Sequence, residues 1–236
     1  MYNHNQKHII VLLTFLCVSA LPVLAAFTIE PPMVILKANM GENMAWIEVV
    51  HAGGGPVAVE LSVLDRELTI DGDAVMGRTK PSADFMVYPS QLILQPRERA
   101  KVQVTYKQKR KVTVDKAYTL FSKEVPLPVQ EESDEVKVGV NTLVNYYSVI
   151  AFETGKQGKL TFVSSKLLGG GKVEVIAKNE SAGRVSGEGL VITIGGKEKI
   201  TNFTGKKNSI MPGQERRFTF DYKKALVAKE VSFGYK

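Results

Sequence analysis

Residues 135–152 read EVKVGVNTLVNYYSVIAF. Val136, Val138, Val140, Thr142, Val144 and Tyr146 fall on one side of an extended chain. Lys137, Gly139, Asn141, Leu143, Asn145 and Tyr147 fall on the other. Alternation with a period of two, in β-branched and aromatic residues, is a strand signal. The run exceeds the ~5–6 residues of an ordinary strand. It follows an acidic, proline-containing loop over residues 126–134. A row of valines this long either fills its own domain's core or is offered at a sheet edge to a partner. Lys137 and Gly139 are poor residues for a strand buried on both faces. The first half of the stretch is therefore expected at an edge.

Upstream, the same alternation recurs in shorter pieces. Residues 27–37, FTIEPPMVILK, begin extended and are interrupted at Pro31-Pro32, which have no N–H to give a ladder. Residues 44–51 alternate Trp46 with Glu48, and Ala52-Gly53-Gly54-Gly55-Pro56 is an emphatic turn. Val57, Val59, Leu61 and Val63 share one side of the next strand. Residues 71–82 are a polar loop, and Pro89 splits the short strands at 85–88 and 91–95. Residues 100–106 and 117–125 complete the set. Several short strands at regular spacing, with no amphipathic helix, predict an antiparallel sandwich of the immunoglobulin type over residues 27–152. Residues 153–159, with Gly155 and Gly158, read as a linker. Over residues 160–236 strand-like runs alternate with Gly169-Gly170-Gly171, Gly195-Gly196 and Pro212-Gly213, so the second domain is also expected to be β.

Residues 1–26 read as a secretory signal peptide, with Lys7 and His8 before an apolar run and Val23-Leu24-Ala25 at the cleavage position. The apolar run is shorter than the ~20 residues of a membrane span. Its removal takes away Cys17, the only cysteine, together with His4 and His8. The mature chain then holds one histidine and no thiol. Disulfides, a Cys–His nucleophile pair and a multi-histidine zinc site are excluded. The net charge of +7 falls by one with Lys7, and a basic balance suits acidic partners or an anionic surface.

Other signals point away from catalysis. The glycine-rich turns lack the strand–loop–helix context of a phosphate cradle. Glu131, Glu132, Asp134 and Glu135 lie in a polar loop with no burial to split their pKa values. They are better read as a charged loop that keeps an exposed edge from pairing with itself. Residues 107–111, KQKRK, read as a solvated basic loop, and His51 as a structural residue beside a turn. Asn179-Glu180-Ser181 and Asn202-Phe203-Thr204 match short glycosylation patterns. No enzyme activity, cofactor or metal is expected.

Three segments resemble the PapD-like periplasmic chaperones of pilus assembly. Residues 88–96, YPSQLILQP, are similar to that family's Pro…Leu-x-Pro segment and run into Val102-Gln103-Val104. Residues 118–126, YTLFSKEVP, are similar to its Tyr-x-Leu…Arg-Glu-Ile-Pro strand end. The valine strand follows at the family's spacing. Residues 211–218, MPGQERRF, resemble a hairpin of divergent members.

The resemblance implies two immunoglobulin-like sandwiches in an L-shaped arrangement. It also implies donor-strand complementation, in which the chaperone lends a strand to a pilus subunit lacking its own last strand. Val136, Val138 and Val140 match the donor positions. The family anchors the subunit's terminal carboxylate with an arginine on the first strand and a lysine on the long one. Met33 and Asn145 stand there in this chain, and neither is charged. Either the register differs, Lys37 or Lys123 supplies the cation, or the chain anchors its partner otherwise. The expected partners are pilus or fimbrial subunits and an outer-membrane usher, in the periplasm. Nucleic acid binding and stable membrane insertion after signal cleavage are not expected. The alternative is a structural surface or pilus subunit with two β domains. A subunit would carry an N-terminal donor extension and lack its last strand, whereas here the mature N-terminus is expected to go almost directly into a strand and the last strand of the first domain is present and over-long.

Overall fold

Prolines that interrupt apolar runs divide the first half of this chain between two sheets. The computed structural model describes residues 27–37, 40–75, 80–107, 111–127, 143–204 and 209–235. Its first nine strands are β1 (Phe27–Glu30), β2 (Met33–Leu36), β3 (Met44–His51), β4 (Val57–Asp65), β5 (Phe85–Tyr88), β6 (Gln91–Leu94), β7 (Arg99–Tyr106), β8 (Lys116–Val125) and β9 (Asn145–Phe152). One sheet has the order β1-β3-β7-β5 and the other β2-β9-β8-β4-β6. The chain changes sheet between β1 and β2 at Pro31 and between β5 and β6 at Pro89, and both prolines follow cis peptide bonds.

Side-chain alternation then fills the space between the sheets. Val57, Val59, Leu61 and Val63 of β4 are all buried, as are Ile47 and Val49 of β3 and Val102 and Val104 of β7. Each such burial contributes ~1.5–3 kcal/mol before the entropy of ordering is subtracted. Phe85, Tyr106, Tyr118 and Phe152 close one end as an aromatic cluster, with Tyr106 and Phe152 centroids 4.4 Å apart.

Tyr118 is the polar member of that cluster. Its hydroxyl donates to Asp84 Oδ2 at 3.2 Å. Burial raises its pKa first, and the charge of Asp84 raises it further. An unfolded tyrosine ionises near pH ~10, while the folded one keeps its proton to higher pH. Its contribution is therefore present below pH ~10 and lost as pH rises through the folded value. Tyr118→Phe should flatten this alkaline loss in thermal melts between about pH 9 and 11, at a cost near neutrality of about 1 kcal/mol for the missing hydrogen bond.

The second domain is built from β10 (Leu160–Leu168), β11 (Lys172–Asn179), β12 (Leu190–Ile194), β13 (Glu198–Ile200), β14 (Glu215–Asp221) and β15 (Val231–Tyr235). Its sheets run β10-β11-β14 and β13-β12-β15. Val173, Val175, Ile192, Ile210 and Phe218 form a core separate from the first. The chain is thus all-β, with two β-sheet domains in a sandwich-like arrangement. Asn179 is fully buried, and its amide donates to the carbonyls of Gly183 and Ile210, each at 2.8 Å. It is a structural residue, closed to a glycan.

Candidate functional site

β9 is bonded along one side from end to end and along the other for only half its length. Its partner β8 runs antiparallel, from Lys123 opposite Asn145 to Lys116 opposite Phe152. On the other side β2 runs parallel and covers only Val149–Phe152. Val149 N donates to Pro32 O at 3.1 Å, and Glu153 N to Leu36 O at 3.0 Å. Odd-numbered residues therefore aim their peptide groups at the β2 side. By the same alternation Asn145 and Tyr147 aim theirs at that side, where no strand lies among the described residues. The result is a short open edge.

Further along β9, where β2 pairs with it, Val149 lines a cleft of about 360 Å³ between the two domains. Met33, Ile35, Leu68 and Val149 of the first domain and Met211 of the second give it apolar walls. Arg66, immediately after β4, lines it as well. The Arg66 guanidinium donates to Thr119 Oγ1 at 3.2 Å and makes no ion pair among the described residues. Burial lowers its pKa, the mark of a cation drawn out of water without a compensating charge. Arg184 also lines the cleft, but its charge is already paired. Its Nη2 lies 2.6 Å from Glu153 Oε1, and its Nη1 donates to Ser209 Oγ at 3.0 Å.

A dense polar joint beside this cleft holds Arg184 in place. The Asp115 carboxylate, 4% exposed, accepts from Thr154 N at 2.7 Å, Thr154 Oγ1 at 2.7 Å and Arg184 N at 2.8 Å. Asp115 N donates in turn to Ala182 O at 2.8 Å. Gly158 and Gly183 bring two backbones into contact: a methyl group on Gly158 would overlap the carbonyl of Arg184, and one on Gly183 that of Lys156. Residues 153–159, which read as a linker, are thus tied to both domains. On the far wall, residues 66–75 cross to β14, where Arg217 N donates to Ile70 O at 2.9 Å.

The residues singled out in the sequence are distributed unevenly around the site. Val136, Val138 and Val140 lie outside the described residues, as do Glu131, Glu132, Asp134 and Glu135. Met33 lines the cleft directly opposite Val149. Asn145 is four residues further along β9, about 13 Å away at strand spacing, and is paired with exposed Lys123. Met33 and Asn145 are therefore not brought together. Lys37, exposed at the end of β2, and Lys123 are both absent from the cleft lining. His51 is buried, with its ring in hydrogen bonds to Gly55 O and Gly53 N, so it holds its own turn. Arg66, Asp115 and Arg184 escaped the reading of the sequence. Each lies in a loop or beside a strand end, with no periodicity to mark it.

No family model matches the chain, and no curated protein sequence matches it. Solved structures do. The E. coli chaperone DraB is 16% identical with a TM-score of 0.54, the match covering 88% of this chain and 87% of that one. A chain of the Salmonella enterica complex of SafA pilin with the SafB chaperone is 15% identical with a TM-score of 0.53, covering 92% and 99%. A chain of the CsuC–CsuE chaperone–tip adhesion subunit pre-assembly complex, from archaic chaperone–usher Csu pili of Acinetobacter baumannii, is 11% identical with a TM-score of 0.52, covering 88% and 93%. At these identities the likeness is one of fold, and it extends over both domains of this chain.

Proposed function

We propose that this chain is a periplasmic chaperone of pilus assembly, acting by strand donation to subunits whose sandwich is incomplete. The observation that carries the reading is the open edge at Asn145 and Tyr147, on the strand whose Val149 lines a cleft with an apolar wall and, in Arg66, a cation with no ion pair among the described residues. The two β-sheet domains whose residues line that cleft complete the picture. In sequence, Val136, Val138 and Val140 share the parity of Tyr146, Ser148 and Ile150. A strand continued through them presents a row of valines to a partner's groove, each worth ~1.5–3 kcal/mol when buried. Backbone hydrogen bonds along the added strand supply affinity, and the valines set its register. In this reading Arg66 replaces the uncharged Met33 and Asn145 as the group that receives the subunit's terminal carboxylate, through charge-assisted hydrogen bonds. Export follows from the signal peptide, and the loaded chaperone delivers its subunit to an outer-membrane usher. No catalytic step, nucleotide or nucleic acid enters.

Co-expression with candidate pilus subunits, followed by co-purification, tests this. Wild-type chain should yield a one-to-one complex. Val138→Asp should abolish it while the melting temperature stays at the wild-type value. Arg66→Ala should weaken it by about tenfold or more, and by much less for a subunit extended past its natural C-terminus. Normal complex yield from Val138→Asp would remove the donor assignment.

A further inference from the structure

Arg216 is the largest almost wholly buried side chain among the described residues, at 1% exposed. None of its three guanidinium nitrogens has a hydrogen-bond partner there. It projects from β14 toward the first domain and lies flush against Gly72, so that a methyl group on Gly72 would overlap it. Burial lowers its pKa, and the charges of Asp71 and Asp73 oppose that fall. A guanidinium removed from water without hydrogen bonds is costly, and the cost falls on whatever contact buries it.

That contact is residues 66–75. They form a self-contained unit: Thr69 N donates to Asp73 O at 2.8 Å, Gly72 N to Thr69 O at 2.9 Å and Val75 N to Glu67 O at 3.0 Å, and Leu68 bridges Ala74. Among the described residues, Arg217 ties them to the second domain through both its backbone and its side chain. Arg217 N donates to Ile70 O at 2.9 Å, and Arg217 Nη1 to the exposed Asp71 carboxylate at 3.2 Å. An exposed ion pair of this kind contributes little. At the base of the same segment, Arg66 and Leu68 form part of the cleft wall.

We propose that residues 66–75 are a strap that docks on β14 and releases from it, with Arg216 setting the balance. Docked, the strap bonds the edge of β14 at Arg217 and holds Arg66 and Leu68 against the cleft. Released, it returns the Arg216 guanidinium to water and opens the cleft on that side. Among the described residues few bonds favour docking, and the burial of a guanidinium without hydrogen bonds, only partly offset by Asp71 and Asp73, opposes it, so the two positions lie close in free energy. Coupling of this movement to a cleft occupant rests on the chaperone reading; the movement itself does not.

Amide hydrogen exchange on the intact chain, with no partner present, tests the strap directly. The probe is the Arg217 amide, whose bond to Ile70 O breaks when the strap leaves β14. Arg216→Met keeps most of the length and removes the charge. It should slow exchange at this amide by about tenfold while core amides of β4 and β11 are unchanged. Gly72→Ala adds a methyl against the guanidinium at a residue with φ of 89°, and should speed exchange at the same amide. Exchange in Arg216→Met that is as fast as wild type or faster means that Arg216 holds the strap down, and overturns the proposal. So does unchanged exchange in Gly72→Ala, which stands as the test should Arg216→Met fail to fold.

Discussion

Gly183→Ala should destabilise the chain by about 3 kcal/mol and loosen the joint between its domains. The added methyl would overlap the carbonyl oxygen of Lys156, and it would stand 2.7 Å from the carbonyl carbon of Gln157. Both neighbours are backbone, so no rotamer change relieves the overlap. Gly183 O also accepts from the buried Asn179 amide at 2.8 Å and from Ser181 Oγ at 3.1 Å. A shift of this backbone therefore strains a network whose donors have no access to water. Gly169→Ala is the control, since a methyl there meets nothing within 4 Å. Thermal melts should show a large loss for Gly183→Ala and almost none for Gly169→Ala. Equal melting temperatures for the two would mean that residues 156–158 and 183–184 are not in contact.

Asp115→Ala should cost about 3 kcal/mol or more and act mainly between the domains. One carboxylate receives the amide of Thr154, its hydroxyl and the amide of Arg184. Truncation leaves those donors facing each other with no acceptor, in a place where water does not reach freely. Arg184 then loses its backbone restraint and with it the geometry of its pair with Glu153. Asp115→Asn keeps the shape and one acceptor oxygen, so its loss should be smaller than that of alanine. Small-angle scattering should report a broader distribution of domain positions for Asp115→Ala, while near-ultraviolet circular dichroism, which reads the aromatic cluster around Phe152, stays close to wild type. A scattering curve identical to wild type, with a lowered melting temperature, would place the effect inside the first domain instead.

These two substitutions and the strap bear on the same property. The cleft is shaped by both domains, and nothing covalent except residues 153–159 fixes their relation. The Asp115 joint and the two facing glycines make one side rigid. The other side depends on residues 66–75, whose attachment is opposed by Arg216. A partner lying along the open edge of β9 would meet a rigid side and an adjustable one.

Much of the local structure is legible in the amino-acid sequence because a strand's burial has a period of two. Val57, Val59, Leu61 and Val63 announce one face of β4, and Pro31 and Pro89 mark where strands cannot run on. The alternation through Tyr146, Ile150 and Phe152 likewise marks the inward side of β9, whose described strand starts at Asn145. The valines at 136, 138 and 140 belong to the same pattern but lie outside the described residues. What alternation does not encode is which strand lies beside which. The parallel pairing of Met33 with Val149, and so the separation of Met33 from Asn145, comes from long-range sheet order. Arg66, Asp115 and Arg184 converge from three distant stretches of chain, and a single charged residue in a loop carries no pattern before the fold surrounds it. The buried guanidinium of Arg216 shows the same limit: alternation puts it on the inward face of β14 with Phe218 and Phe220, but nothing along the chain shows that Gly72 of the first domain lies against it. Periodicity is a property of neighbours along the chain, whereas the cleft, its cation and its strap arise from residues that meet only when two domains pack together.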